Sequence, residues 1–203
     1  AGHIGAVYSI VWQNSAFHLV SGGEDGQIIL WDVESGTLIH QITDQDSAIL
    51  TLALRTDEQQ VLYGSADGAI VLWTLEGAEI QRFAGHLGAV NSVAFRPNGE
   101  QVLSGSSDES LILWDVAMGS EVRRFRRHIA SVNSVAFSPD GATALSGSTD
   151  TTVILWDLES GEEIRRFEGH GGGVNLVTFS YDGRSAFSAS DDGSIIQWRI
   201  DTL

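Results

Sequence analysis

Five stretches of this chain alternate apolar residues with small polar ones: AVYSIVW, AILTLAL, AVNSVAF, SVNSVAF and GVNLVTF. A period of two is the pattern of a β-strand. Turn formers follow them, such as Asn98-Gly99, Pro139-Asp140-Gly141 and Asp182-Gly183, whose side chains and backbone freedom favour reversal. A second strand then leads to a Ser-x-x-x-Asp segment, where Asp-Gly pairs suit a tight hairpin. A third strand ends on tryptophan. A further turn, for instance Glu159-Ser160-Gly161, precedes a fourth strand such as EEIRRF. The pattern predicts four short strands per unit and no helix.

The units are periodic. Trp31, Trp73, Trp114, Trp156 and Trp198 are separated by 42, 41, 42 and 42 residues. Six residues before each stands an aspartate: Asp25, Asp67, Asp108, Asp150 and Asp192. Ten residues before four of them stands a serine (Ser21, Ser104, Ser146, Ser188), and 28 residues before the same four a histidine (His3, His86, His128, His170). Three of these histidines follow glycine. Spacing of this length marks a repeat architecture.

With Gly-His and Trp-Asp marks in register over essentially the whole sequence, the chain resembles the WD-repeat β-propeller family. The resemblance implies an all-β propeller of four-stranded antiparallel blades. Its repeats fall at about 1–42, 43–83, 84–125, 126–167 and 168–203. It also implies that His3/Ser21/Asp25/Trp31, His86/Ser104/Asp108/Trp114, His128/Ser146/Asp150/Trp156 and His170/Ser188/Asp192/Trp198 form buried hydrogen-bonded sets. The second repeat departs: Gln45 and Tyr63 stand in the histidine and serine places, and Thr74 follows its tryptophan. That blade is expected to lack the network and to be the softest. The last blade is expected to lack its outer strand, since five units of four strands are one strand short. Rings of this family usually have seven blades, so the expected arrangement is a domain that continues N-terminally in a longer parent protein. A five-bladed ring with a weak seam, and strand exchange at the open edge, are the alternatives.

The net charge of −16 argues against nucleic acid or an anionic membrane as partner. No apolar run is long enough for a membrane helix. The chain has no cysteine, so no disulfide, thiolate nucleophile or cysteine zinc site is expected. All 11 basic residues are arginine, which fits a GC-rich bacterial source and removes lysine chemistry. A cytoplasmic location is the family-level expectation.

Serine, histidine and aspartate together raise the question of a hydrolase. Their recurrence in repeat after repeat, always with a tryptophan, is the signature of a structural network; a catalytic site would occur once. The acid-rich turns lack the alternating acids and terminal glutamate of a calcium loop, so neither metal nor cofactor is expected. The expected function is a non-catalytic protein- or peptide-binding scaffold, the recognition part of a larger signalling or regulatory protein. The competing reading is a small-molecule- or sugar-binding, or enzymatic, propeller that uses the central channel.

By resemblance, the partner face is the one formed by the histidine-bearing and aspartate-bearing loops. It carries Tyr8, Leu50, Asn91, Asn133 and Asn175, five residues after each histidine position. It also carries Glu24, Ser107, Thr149 and Asp191 beside the turn aspartates. The expected contact is an apolar anchor near Tyr8 and Leu50, with polar contacts at the three asparagines. Arg126 and Arg127, after the Arg-Arg-Phe segment of the third repeat, are the candidates for an acidic or phosphorylated segment. The opposite face, with Asp57, Glu58, Glu76, Glu100, Asp140, Glu159 and Asp182 on its turns, is expected to be strongly acidic.

Overall fold

A computed structural model describes residues 2–13, 16–43, 46–55, 57 and 59–200. Among them are 19 strands in five antiparallel sheets, each a meander in chain order. The first sheet holds β1 (Val7–Gln13), β2 (His18–Gly23), β3 (Ile28–Asp32) and β4 (Thr37–Ile42). The second holds β5 (Ile49–Leu54), β6 (Gln60–Ser65), β7 (Ile70–Thr74) and β8 (Glu79–Phe83). The third holds β9 (Val90–Phe95), β10 (Gln101–Ser106), β11 (Leu111–Asp115) and β12 (Glu121–Phe125). The fourth holds β13 (Val132–Phe137), β14 (Thr143–Ser148), β15 (Val153–Asp157) and β16 (Glu163–Phe167). The fifth has three strands among the described residues: β17 (Val174–Phe179), β18 (Ser185–Ser190) and β19 (Ile195–Arg199).

The sheets stack face to face as blades, with β1 against β5, β5 against β9, β9 against β13 and β13 against β17. Each joint is a separate apolar layer. Between the third and fourth blades, Leu103, Leu111, Leu113 and Phe125 meet Val132, Val135, Ala144, Ile154 and Trp156. The phenylalanine that ends an outer strand lies against the tryptophan of the next blade. Phe83–Trp114, Phe125–Trp156 and Phe167–Trp198 have ring centroids 5.8, 5.2 and 5.3 Å apart, within the range where aromatic pairs attract beyond simple burial.

Two devices set the blade spacing. A hydroxyl on each inner strand accepts a backbone N–H from the next: Leu52 to Ser9, Val93 to Thr51, Val135 to Ser92 and Val177 to Ser134, at 3.0–3.3 Å. A glycine on each second strand lets the neighbour approach. A Cβ on Gly22, Gly64, Gly105 or Gly147 would lie 2.5–2.7 Å from an isoleucine or valine methyl of the following blade.

The arc is open. No face contact of comparable extent joins β17 to β1 among the described residues. Val7, Ile10 and Trp12 on the first blade are 48%, 61% and 43% exposed, and Leu176 and Ile195 on the fifth 57% and 76%. The fifth blade also relaxes both spacing rules: Leu176 takes the place of the hydroxyl and Ala189 that of the glycine.

Candidate functional site

The four expected networks are present. In the fourth blade the Trp156 indole N–H donates to Ser146 Oγ at 2.8 Å, and Ser146 Oγ lies 2.7 Å from His128 Nε2. His128 Nδ1 lies 2.7 Å from Asp150 Oδ2. The first, third and fifth blades repeat this through His3, His86 and His170 with separations of 2.7–3.0 Å. Donor chemistry orders the protons. A carboxylate only accepts, so Nδ1–H donates to aspartate; Nε2 then accepts the serine O–H, whose oxygen takes the indole N–H. A neutral imidazole satisfies every bond.

The aspartate also holds the loop. Its carboxylate accepts the N–H of the residue after the histidine, at Ile4, Leu87, Ile129 and Gly171, over 2.7–3.2 Å. Ser110, Thr152 and Ser194 donate to the same carboxylates at 2.6–2.7 Å. Burial works to raise the Asp108 carboxyl, but donors from Ser110, Leu87 and His86 override it and hold the group well below the usual range. In Asp150 burial is likewise overridden, by His128 and Thr152. In Asp192 the Ser194 hydroxyl leads the lowering. His86 is lowered by burial, against the pull of Asp108.

These shifts give stability a pH dependence of definite sign. A histidine lowered in the folded state is protonated more readily when unfolded, so stability is intact above its unfolded pKa of about 6.5 and declines below it. An aspartate lowered in the folded state stabilises above its unfolded pKa of about 3.9, and that stability is lost as pH falls toward the folded value. Thermal melts from pH 8 to pH 3 should therefore be level at first, decline from about pH 6.5 and steepen below about pH 4. A melting temperature that rises on acidification would contradict the assigned proton order.

The second blade has no such network among the described residues; Gln45 lies outside them. Tyr63 fills the serine place, fully buried. Its hydroxyl and the Trp73 indole N–H are both buried without a hydrogen-bond partner among the described residues. Burial pushes the Tyr63 phenol far up. Arg82 and Trp73 lie near enough to pull against this, without hydrogen-bond alignment. Tyr63→Phe removes an orphaned buried hydroxyl, and is expected to raise stability by about 1 kcal/mol, read as a higher denaturation midpoint.

The partner-face residues also come together by a common mechanism. Tyr8, Leu50, Asn91, Asn133 and Asn175 are each the extra, unpaired residue of a β-bulge in an inner strand. A bulge re-aims its side chain out of the sheet's alternation. Tyr8 is half exposed and Leu50 partly buried. Two of the asparagines serve blade joints. Asn91 donates to Ser131 Oγ and the Val132 carbonyl at 2.9 and 3.0 Å. Asn133 donates to Thr149 Oγ1 and the Val174 carbonyl at 3.0 and 2.9 Å. The Asn175 amide turns to Asp191 in its own blade. Glu24 accepts the Ala6 N–H at 3.1 Å. Glu24, Ser107, Thr149 and Asp191 are all exposed on turns at this same end.

Most arginines of the outer strands are engaged. Arg82, Arg124 and Arg166 pair with the glutamate three residues earlier at 2.6–2.8 Å. Arg123 donates to the carbonyls of Ser160 and Glu159 across the blade joint. Arg126 and Arg127 are exposed. Three grooves of about 430–510 Å³ lie among the turns of the other end, between the fourth and fifth, first and second, and second and third blades. They are copies of one inter-blade feature, not a site peculiar to one blade. Among the described residues, no three histidine, aspartate or glutamate side chains are grouped to hold a metal.

Four-stranded blades tied by a Trp–Ser–His–Asp chain define a WD-type β-propeller. The family model for the WD domain, G-beta repeat, matches residues 1–32, 77–115, 119–157 and 161–199, most of the chain, and the protein belongs to that family. The unmatched stretch, 33–76, holds most of the network-free second repeat. The chain is similar to guanine nucleotide-binding protein subunit beta-1 of Drosophila melanogaster, 30% identical over 78 residues, which are 38% of this chain and 23% of that protein. It is also similar to the guanine nucleotide-binding protein subunit beta of Dictyostelium discoideum, 32% identical over 78 residues, 38% of this chain and 22% of that protein. The chain thus spans less than a quarter of the length of these relatives.

Proposed function

We propose that the chain is a non-catalytic recognition module, which binds a protein or peptide segment on the face carrying the histidine loops and aspartate turns. The observation that carries this reading is the repeated bulge. It gathers a side chain from every blade at one end of the arc, beside loops that the networks hold in place. The serines, histidines and aspartates that suggest hydrolysis are consumed in those networks, which leaves the end rigid and chemically quiet. Kinship with G-protein beta subunits supports a protein partner. The acidic charge supports neither nucleic acid nor membrane, and a cytoplasmic setting goes with this reading.

The uncovered faces of the first and fifth blades are, in this reading, covered by further blades of the same ring in a longer parent. Light scattering on the 203-residue chain is expected to show concentration-dependent association through those faces. A compact monomer at all concentrations would oppose it.

Selection of ligands from a displayed random-peptide library tests the recognition role. Peptides that bind the parent chain should lose binding to a Ser107→Gln, Thr149→Gln double variant, which crowds the face without adding charge. Failure to enrich any peptide, or equal binding to both proteins, would contradict the proposal.

A further inference from the structure

The upper rim of the fourth blade departs from the other network-bearing blades in two respects, and shares a third departure with the third blade. The residue before the network histidine is glycine at Gly2, Gly85 and Gly169, and the reason is steric: a Cβ there would lie 2.8–3.1 Å from Cη2 of the blade's tryptophan. The fourth blade has Arg127 in this place. The residue after the turn aspartate is Gly26, Gly68 and Gly193 in three blades, each with positive φ. The third blade has Glu109 there at φ 70° and the fourth Thr151 at φ 74°; of the two only threonine is β-branched, for which this conformation is strained. The first, third and fifth blades carry an additional acid on this turn, Glu24, Glu109 and Asp191, whereas the fourth has Thr149 and Thr151.

These departures converge on one place. Asp150, between the two threonines, binds both His128 and the Ile129 N–H. It therefore joins this turn to the loop that carries Arg126, Arg127 and Ile129. The Ile129 side chain is 82% exposed. Arg166 donates to the Arg127 carbonyl at 3.2 Å and fixes the loop from below, while neither the Arg126 nor the Arg127 side chain has an internal hydrogen bond or ion pair among the described residues. Two unengaged guanidiniums, an exposed aliphatic side chain and a turn whose one acid, Asp150, is buried thus adjoin one another in a protein of net charge −16.

From this juxtaposition of Arg126, Arg127 and Ile129 we infer that the fourth-blade rim is the specificity site of the recognition face, and that it takes a carboxylate-bearing peptide segment with an adjacent aliphatic side chain. This rests on the peptide-binding reading above and names the ligand chemistry. The guanidiniums form charge-assisted hydrogen bonds to carboxylates, and Ile129 supplies apolar contact beside them. The loss of the glycine before His128 and the β-branched residue at positive φ are departures of the kind expected where local rules yield to binding.

The test uses peptides selected from the same displayed library, and compares the parent with an Arg126→Ser, Arg127→Gly variant. The substitution at 127 restores the family's own Gly-His pair, so the melting temperature should stay within about 2 °C of the parent. Selected peptides should carry glutamate or aspartate beside leucine, isoleucine or valine. The variant should bind them at least about tenfold more weakly, and raised salt should weaken the parent's binding while changing the variant's little. Glutamine in place of the peptide's acids should reproduce the loss. Selected peptides without acids, or bound equally by the variant, would overturn this inference and leave the general recognition role standing. A selection that enriches nothing would overturn both. Tighter binding of a DNA oligonucleotide than of the selected peptides would reassign the pair to polyanion capture, and so overturn the assignment to a peptide.

Discussion

Ser146→Ala is expected to destabilise the protein by about 2–4 kcal/mol. The lost hydroxyl accepts the Trp156 N–H and donates to His128 Nε2, at 2.8 and 2.7 Å. Serine and indole are essentially without solvent exposure, at 0% and 1%. Alanine therefore orphans two buried polar groups at once, each costing about 1–3 kcal/mol when left unpaired. Adding Trp156→Phe to Ser146→Ala removes one orphan, so the two changes together should cost less than the sum of the two made singly. Chemical denaturation of the four proteins measures this coupling. Simple additivity, or a loss within about 0.5 kcal/mol for Ser146→Ala, would show that the hydrogen-bonded chain does not carry the blade.

Gly105→Ala should cost about 1–3 kcal/mol, although it adds one methyl group to a strand. The new Cβ would stand 2.7 Å from Val132 Cγ1 and 2.9 Å from Val135 Cγ1. Those methyls belong to stiff, buried side chains at the joint of the third and fourth blades. Relief requires that the blades separate, and separation weakens the Phe125–Trp156 contact and the Ser92 hydroxyl bond in the same layer. The equivalent residue of the fifth blade is already Ala189, on a face that no further blade covers among the described residues. Ala189→Gly should be mild, within about 1 kcal/mol. Equal effects at the two positions would contradict the account of blade spacing.

Periodicity made the architecture legible. Strict alternation gave the inner strands, turn formers gave the meander, and recurrent tryptophans gave the blade count, because each signal arises from local chemistry repeated at fixed offset. The four networks were legible for the same reason. The bulge was not. It depends on a mismatch of pairing between strands, and Tyr8, Leu50, Asn91, Asn133 and Asn175 have no common side-chain chemistry to announce it. Asn91 and Asn133 read as free polar contacts, yet their amides span blade joints, a role that requires knowing which carbonyl the next blade presents. The inner-strand hydroxyls Ser9, Thr51, Ser92 and Ser134 read as the polar half of an alternating strand; their acceptor role emerges only when blades are stacked. The Arg-Arg-Phe segments show their arginines plainly in the sequence, but the role of the phenylalanine, contact with the next blade's tryptophan, emerges only when blades are stacked. Arg127 had a visible signal, the missing glycine of one Gly-His pair. Its meaning required the Trp Cη2 atom that makes glycine the rule.

The central claim is that recognition occurs at the end of the blades where networks hold the loops. The most direct measurement is amide chemical-shift mapping of the labelled protein during titration with a library-selected peptide. The account predicts perturbations centred on the loops of Arg127, Ile129 and Thr149, reaching Ser107 and Asp191, with the turns at Gly99, Gly141 and Gly183 unmoved. Perturbations confined to those latter turns and their grooves, with the Arg127 loop unchanged, would contradict it.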